Sequence, residues 1–151
     1  MTRWYVVLAV AAGFYFLKPA EKLIDWQKYD ANVIEKELSQ NRPVLIKFTA
    51  DWCLSCQVVE KKVYGRADIA KLIEEKGVLA IKGDTTTKDM PATITLKEVY
   101  HEPGVPVSIL YLPGKDEPIR WREFFFGDEL KVRLETIPKS GYGKKGEIKS
   151  R

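Results

Sequence analysis

The chain holds two cysteines, Cys53 and Cys56, separated only by Leu54 and Ser55. Thiols at this spacing can open and close as a redox disulfide, form half of a metal site, or act as a covalent staple. Two cysteines so close together are too few to staple a small secreted fold. A structural zinc site needs about four ligands, and the single histidine, His101, leaves no second Cys/His pair. Two thiolates alone could bind Cu(I) as a metallochaperone module, although no Met or His cluster accompanies them.

The residues around the pair favour redox exchange. Val44 to Thr49, VLIKFT, is a short apolar run of strand-forming residues bounded by Pro43 and the Ala50-Asp51 turn, as expected for a central strand covered on both faces. Cys53 to Tyr64 reads as a helix opening at the dithiol, with Val58, Val59 and Val63 on its buried side. At a helix N-terminus a sulfur meets unpaired N–H groups and the positive end of the macrodipole, so Cys53 should ionise below the ~8.5 of a free thiol. Cys53 is therefore the expected solvent-reachable nucleophile. Cys56, one turn into the helix and more buried, stays protonated until Cys53 carries a mixed disulfide, which it then resolves. Such a pair exchanges two electrons with no cofactor beyond the Cys53–Cys56 disulfide and with no metal.

The remaining elements alternate. A helix begins at Asp30, with Val33, Ile34 and Leu38 on one face and Asn41-Arg42-Pro43 as its stop. Asp68 to Glu75 is a helix closed by Gly77, Val78 to Lys82 a strand, Asp84 to Asp89 a loop and Ala92 to Tyr100 a helix. Gly104-Val105-Pro106 introduces the strand Val107 to Leu112, Pro113-Gly114 turns the chain, Ile119 to Phe126 is the hairpin partner, and Asp128 to Thr136 is a final helix. Strand–helix alternation closed by a hairpin predicts an α/β fold with a mixed central sheet and helices on both faces.

Trp4 to Leu17, WYVVLAVAAGFYFL, is uncharged and apolar between Arg3 and Lys18. A helix of that length rises about 21 Å against a hydrocarbon core of ~30 Å, so spanning requires snorkelling flanks or a thinned bilayer. Residues 1–20 are read as a hydrophobic membrane anchor, with a signal peptide or a helix packed on the domain or on a partner as alternatives. Residues 21–138 form the domain and 139–151 a basic flexible tail. That tail carries five cations and one carboxylate, the whole of the +4 formal charge. The excess is therefore local, and nucleic-acid binding has no other support.

Several segments together resemble a known family: Asp25-Trp26-Gln27, Arg42-Pro43, Phe48 to Cys56 with Trp52 before the dithiol, Thr86-Thr87-Lys88-Asp89, and Gly104-Val105-Pro106 about fifty residues past the dithiol. The chain resembles the thioredoxin superfamily, and within it the C-terminal domain of DsbD/ScsB-type thiol:disulfide interchange proteins, over about residues 25 to 137. The resemblance implies a thioredoxin-like fold, a cis Val105–Pro106 bond that exposes the Val105 backbone to a substrate strand, and protein-disulfide reductase activity. It further implies a domain outside the cytoplasmic membrane, on the periplasmic side, that takes electrons from a membrane dithiol and passes them to disulfide-containing partner proteins; the chain is expected to be a monomer.

The resemblance also marks two acidic positions that tune the dithiol. Glu60 matches one and would hold or relay a proton, unless it is simply a solvated helix acid. The other is Lys47 here. A charged lysine cannot act as a base, though its charge would favour thiolate. Asp51 is expected to form the turn or cap the helix, Trp52 to shield the dithiol and offer a docking surface or simply to pack, and Trp121 with Phe124 to Phe126 to belong to the core or to an interface. His101 is expected to be a loop residue. A reductant for cytochrome c maturation, with the same fold and anchor, and a redox-silent adaptor are the other readings.

Overall fold

The computed structural model describes residues 23–139. The expected anchor at residues 1–20 and the tail beyond residue 139 lie outside the described residues. Among those described, no helix is long and apolar enough to cross a membrane.

Among the described residues, five strands and five α-helices follow in the order β1 (Gln27–Lys28), α1 (Ala31–Ser39), β2 (Val44–Thr49), α2 (Leu54–Val59), α3 (Ala67–Glu75), β3 (Leu79–Asp84), α4 (Pro91–Glu98), β4 (Val107–Tyr111), β5 (Ile119–Arg122) and α5 (Gly127–Glu135). α2 runs on into a π-helical turn, Glu60–Tyr64. The strands line up as β1-β3-β2-β4-β5. β1 and β2 pair with β3 in parallel, and β4 pairs antiparallel with both β2 and β5. The mixed sheet expected from the alternation is therefore present, with β2 at its centre.

Strand alternation sends neighbouring side chains to opposite faces. Ile46 and Phe48 of β2, with Ile81 and Ile109, meet Ile34 of α1 and Ala92 and Leu96 of α4. Leu45, Ala80 and Leu110 meet Val59, Val63 and Tyr64 of the α2 segment, Ile69 and Ile73 of α3, and Leu130 and Leu134 of α5. Each face of the sheet thus has its own core.

Local chemistry sets the helix ends. Asp30 caps α1 by accepting from the amides of Asn32 at 2.9 Å and Val33 at 3.3 Å, and Asn41 just past its end takes φ 59°, which asparagine tolerates. Gly77 takes φ 64° at the exit of α3.

One element went unread and three expectations need correction. β1 had no apolar pattern to reveal it, being two exposed residues at the sheet edge. Val58 is exposed, because the buried stripe of α2 runs through Cys56, Val59 and Val63. β5 stops at Arg122 rather than Phe126, because Glu123 takes φ 60° and turns the chain out of the sheet. In that turn only Phe125 enters the core, stacked on Trp121 at 5.0 Å between ring centroids, while Phe124 and Phe126 stay exposed.

Candidate functional site

The dithiol sits where β2 gives way to α2. Ala50 O accepts from the Cys53 amide at 3.1 Å, closing the turn, and Cys53 is itself the N-cap with φ −92° and ψ 102°. The Cys56 amide donates to Cys53 Sγ at 3.2 Å, so a helix-terminal N–H does point at the first sulfur. Ser55 Oγ lies 3.4 Å from the same sulfur. Cys53 and Cys56 are joined as a disulfide.

The expected contrast in exposure between the two cysteines is absent: both are 5% exposed. They pack with Ala50 and against Val105, which turns the bonded pair inward while the flanking Trp52 and Leu54 stand 66% and 77% exposed. A covered sulfur is what these contacts produce in the disulfide form. Position along the helix, rather than accessibility, is what distinguishes the two cysteines.

The Val105–Pro106 bond is cis, as the resemblance implied. Val105 O lies 3.9 Å from Cys53 Sγ, which puts the loop before β4 against the dithiol, 52 positions along the chain. The loop is tied down on two sides. Pro106 O accepts from the Glu123 amide at 3.0 Å. Glu102, buried just upstream, takes both Nε and Nη2 of Arg122 at 2.8 Å, with Arg120 at 3.5 Å. Arg122 holds the Glu102 carboxyl below its ordinary range. Exposed His101 has φ 56° in this loop and no part in the site's bonding.

Trp52 is braced from the loop that follows β3. Its indole Nε1 donates to Thr86 O at 3.1 Å, and the Asp51 amide donates to Thr86 Oγ1 at 3.1 Å. Thr86 in turn donates its amide and hydroxyl to Asp84 Oδ1 at 2.9 and 2.6 Å. Asp51 is therefore a turn residue, since the cap position belongs to Cys53. Thr86 and Asp84 received no role from the sequence, although Thr86 belongs to a segment that carries the resemblance; polar residues at the end of an apolar strand were the other local sign.

Lys47 and Glu60, read separately in the sequence, form an ion pair. Lys47 is 5% exposed, its ammonium lying 3.9 Å from the Trp26 ring centroid and 5.2 Å from that of Tyr64. Burial pulls the lysine below its ordinary value, and Glu60 partly opposes this. The Glu60 side chain is half-exposed, so it is neither a free surface acid nor a buried one. Tyr64 donates to or accepts from Ser108 Oγ at 2.6 Å, and burial pushes its hydroxyl far up. One narrow crevice is lined by Lys47, Glu60, Tyr64, Ser108, Pro106 and Cys56. Cys56, not Cys53, faces this inner side.

No group of three or more His, Cys, Asp or Glu residues is placed to hold a metal ion among the described residues.

Comparisons with known proteins agree with this geometry. A sequence model of the thioredoxin-like family matches residues 25–113. The thiol:disulfide interchange protein DsbD of Pseudomonas sp. (strain JR1 / K1) is 33% identical over 87 residues, covering 55% of this chain and 14% of that protein. DsbD 2 of Pseudomonas aeruginosa is 34% identical over 79 residues, 52% of this chain and 13% of that one. The chain thus spans about a seventh of the length of these relatives. The oxidised C-terminal domain of Neisseria meningitidis DsbD superposes with a TM-score of 0.52 at 19% identity, covering 74% of this chain and 99% of that domain, a likeness of fold. With the family pattern matched over most of the described residues and a Cys-x-x-Cys disulfide packed against a cis-proline loop, the chain belongs to the thioredoxin-like family.

Proposed function

We propose that the chain is a thiol:disulfide oxidoreductase that works as a protein-disulfide reductase or electron relay. The observation that carries this reading is the Cys53–Cys56 disulfide at a helix N-terminus with Val105 O against its first sulfur. In the reduced form the Cys53 thiolate attacks a partner's S–S bond, forming a mixed disulfide and releasing one partner thiolate. The Cys56 thiolate then attacks the Cys53 sulfur, closing Cys53–Cys56 and releasing the second. Two electrons pass to the partner, and the protons shed by the cysteines are taken up by the released thiolates. No cofactor enters.

Val105 and Pro106 supply the edge against which a partner strand lies, and exposed Trp52, directly before Cys53 in the chain, offers apolar docking area. Lys47 and Glu60 support the pair from beneath. The apolar run from Trp4 to Leu17 supports an anchor in the cytoplasmic membrane, with the domain on the periplasmic side. The likeness to part of DsbD supports a membrane dithiol as electron donor and disulfide-containing proteins as acceptors. The domain acts as a monomer.

The test is a Cys56→Ala variant incubated with disulfide-bearing protein substrates. A trapped mixed disulfide through Cys53 is expected. Absence of a covalent adduct with every substrate tried would end the assignment.

A further inference from the structure

Large apolar side chains left in water mark a surface that something covers when they gather in one place. Ten stand exposed among the described residues, and five of them, Trp52, Leu54, Val58, Phe124 and Phe126, belong to the dithiol turn, to α2 or to the turn after β5. Leu54 lies between the two cysteines and Val58 one turn along α2, so the two share the outer face of that helix. At the turn after Glu123, Phe125 goes inward while Phe124 and Phe126 stay outside, edge to face at 5.3 Å between ring centroids. Val58 and these two rings line one cleft of about 360 Å³ together with Lys62, Arg66 and Asp128.

The charges of the cleft do not balance. Arg66 is held by Asp68 and Asp128, both at 2.7 Å, and Lys131 reaches Asp68 at 3.3 Å, so these four neutralise one another. Glu129 turns its carboxylate onto the Phe126 amide at 3.1 Å. Exposed Lys62, in the π-helical turn, pairs with no carboxylate among the described residues. An apolar stripe that starts between the cysteines therefore ends at an uncompensated cation.

Resting on the oxidoreductase reading above, we propose that this cleft takes the segment flanking a partner protein's reactive disulfide, a segment with a bulky apolar side chain for the space beside Phe124 and Phe126 and a carboxylate for Lys62. A partner sulfur bonded to Cys53 arrives next to Leu54, the first residue of the stripe. Val58 comes about 7 Å farther along the helix and Lys62 about 6 Å beyond it, at ~1.5 Å per residue. An extended segment rises ~3.3 Å per residue and alternates its faces. An apolar residue about three places from the partner's cysteine and an acid two places beyond it thus meet the ring cleft and Lys62 from one face. The cleft selects among disulfide partners and leaves the exchange at sulfur unchanged.

The test uses the reduced full chain in single-turnover reactions with synthetic peptides, each carrying one cysteine as a mixed disulfide with thionitrobenzoate. Attack of the Cys53 thiolate on the peptide sulfur releases the thionitrobenzoate anion, which is followed by absorbance. Cys56 then displaces the peptide thiolate and closes Cys53–Cys56. Two peptides carry phenylalanine at the third place and glutamate at the fifth, one on each side of the cysteine. At least one of them should half-saturate the reaction at about tenfold lower concentration than its serine and lysine counterpart. Phe126→Ser should remove the gain from phenylalanine. Lys62→Glu should invert the charge preference, so that a phenylalanine and lysine peptide outbinds the phenylalanine and glutamate one. Each protein's rates are taken relative to its reaction with dithionitrobenzoate, which is too small to fill the cleft. Equal half-saturation across the peptides, or a charge preference that survives Lys62→Glu, would overturn the proposal. A second copy of the chain filling the cleft would show as peptide affinity that weakens with rising protein concentration, and would overturn it too. Should Phe126→Ser not fold, Lys62→Glu still decides. A chain that reacts with neither the peptides nor dithionitrobenzoate removes the oxidoreductase reading; one that reacts with dithionitrobenzoate but does not sort the peptides removes only the docking cleft.

Discussion

The backbone amide of Glu123 donates to the carbonyl oxygen of Pro106 at 3.0 Å, so the residue that ends β5 holds the proline that borders the dithiol. Glu123 makes this bond with φ 60°, a left-handed backbone that costs a residue with a side chain roughly 1–2 kcal/mol. Its side chain points to solvent, so the conformation can be probed without disturbing the core.

A Glu123→Gly variant should therefore match or exceed the wild type in stability, while Glu123→Val should lose about 1–2 kcal/mol, because a β-branched residue fits that backbone poorly. Urea unfolding of the three proteins reads this directly. A valine variant as stable as the glycine one would contradict the turn described.

Glu102 anchors the same loop from the other side through Arg122. Its carboxyl is held below the ordinary glutamate value of 4.5, chiefly by the bond from Arg122. A depressed acid contributes stability that is fully present above its unfolded value and is lost as pH falls through its folded one. The wild type should lose this contribution as pH drops below about 4.5, and the stability difference from Glu102→Gln should shrink over the same interval. Asp84 is also depressed, mainly by Thr86, so the difference between the two curves is what isolates Glu102. Thermal melts of both proteins across that range provide the check, and parallel curves would count against the clamp.

Gly83 of β3 lies under Phe48 of β2. A Cβ added there would stand 2.6 Å from Phe48 Cδ1 and 2.9 Å from Cε1. Gly83→Ala should destabilise the protein by about 1–3 kcal/mol through overpacking, and Phe48→Leu in the same chain should recover part of the loss. A denaturant series on the single and double variants measures the coupling; strict additivity would show that the two residues do not press on each other.

Thr86 gives its hydroxyl oxygen to the Asp51 amide in the turn before the dithiol. Thr86→Val removes that acceptor at nearly constant volume and should cost about 1 kcal/mol. The Asp51 amide should then exchange its hydrogen faster, with the β2 amides unchanged. Equal protection of Asp51 in both proteins would mean that the brace is not formed.

The sequence alone settled what local pattern can settle. The apolar run VLIKFT suited a covered strand, Asp30 and the Asn41-Arg42-Pro43 stop bounded the helix before it, and the dithiol just past the strand read as the start of the next helix. Resemblance in the residues around Cys53 and at Gly104-Val105-Pro106 then supplied the cis bond. Local pattern did not reach β1, whose two exposed residues carry no periodicity, or the end of β5, where a left-handed glutamate broke an apolar run.

Only the tertiary structure decided who meets whom. Lys47 and Glu60 lie on a strand and on a π-helical turn, and their pairing over the Trp26 ring depends on how the α2 segment packs on the sheet. The Glu102 clamp needs the β4–β5 hairpin to bring Arg122 back beside the loop. The equal burial of the two sulfurs follows from Val105, a residue fifty positions away that closes over the bonded pair. A sequence states the charge and shape of each side chain, but the energy of a buried cation or a covered sulfur depends on neighbours that are near only after the chain has folded.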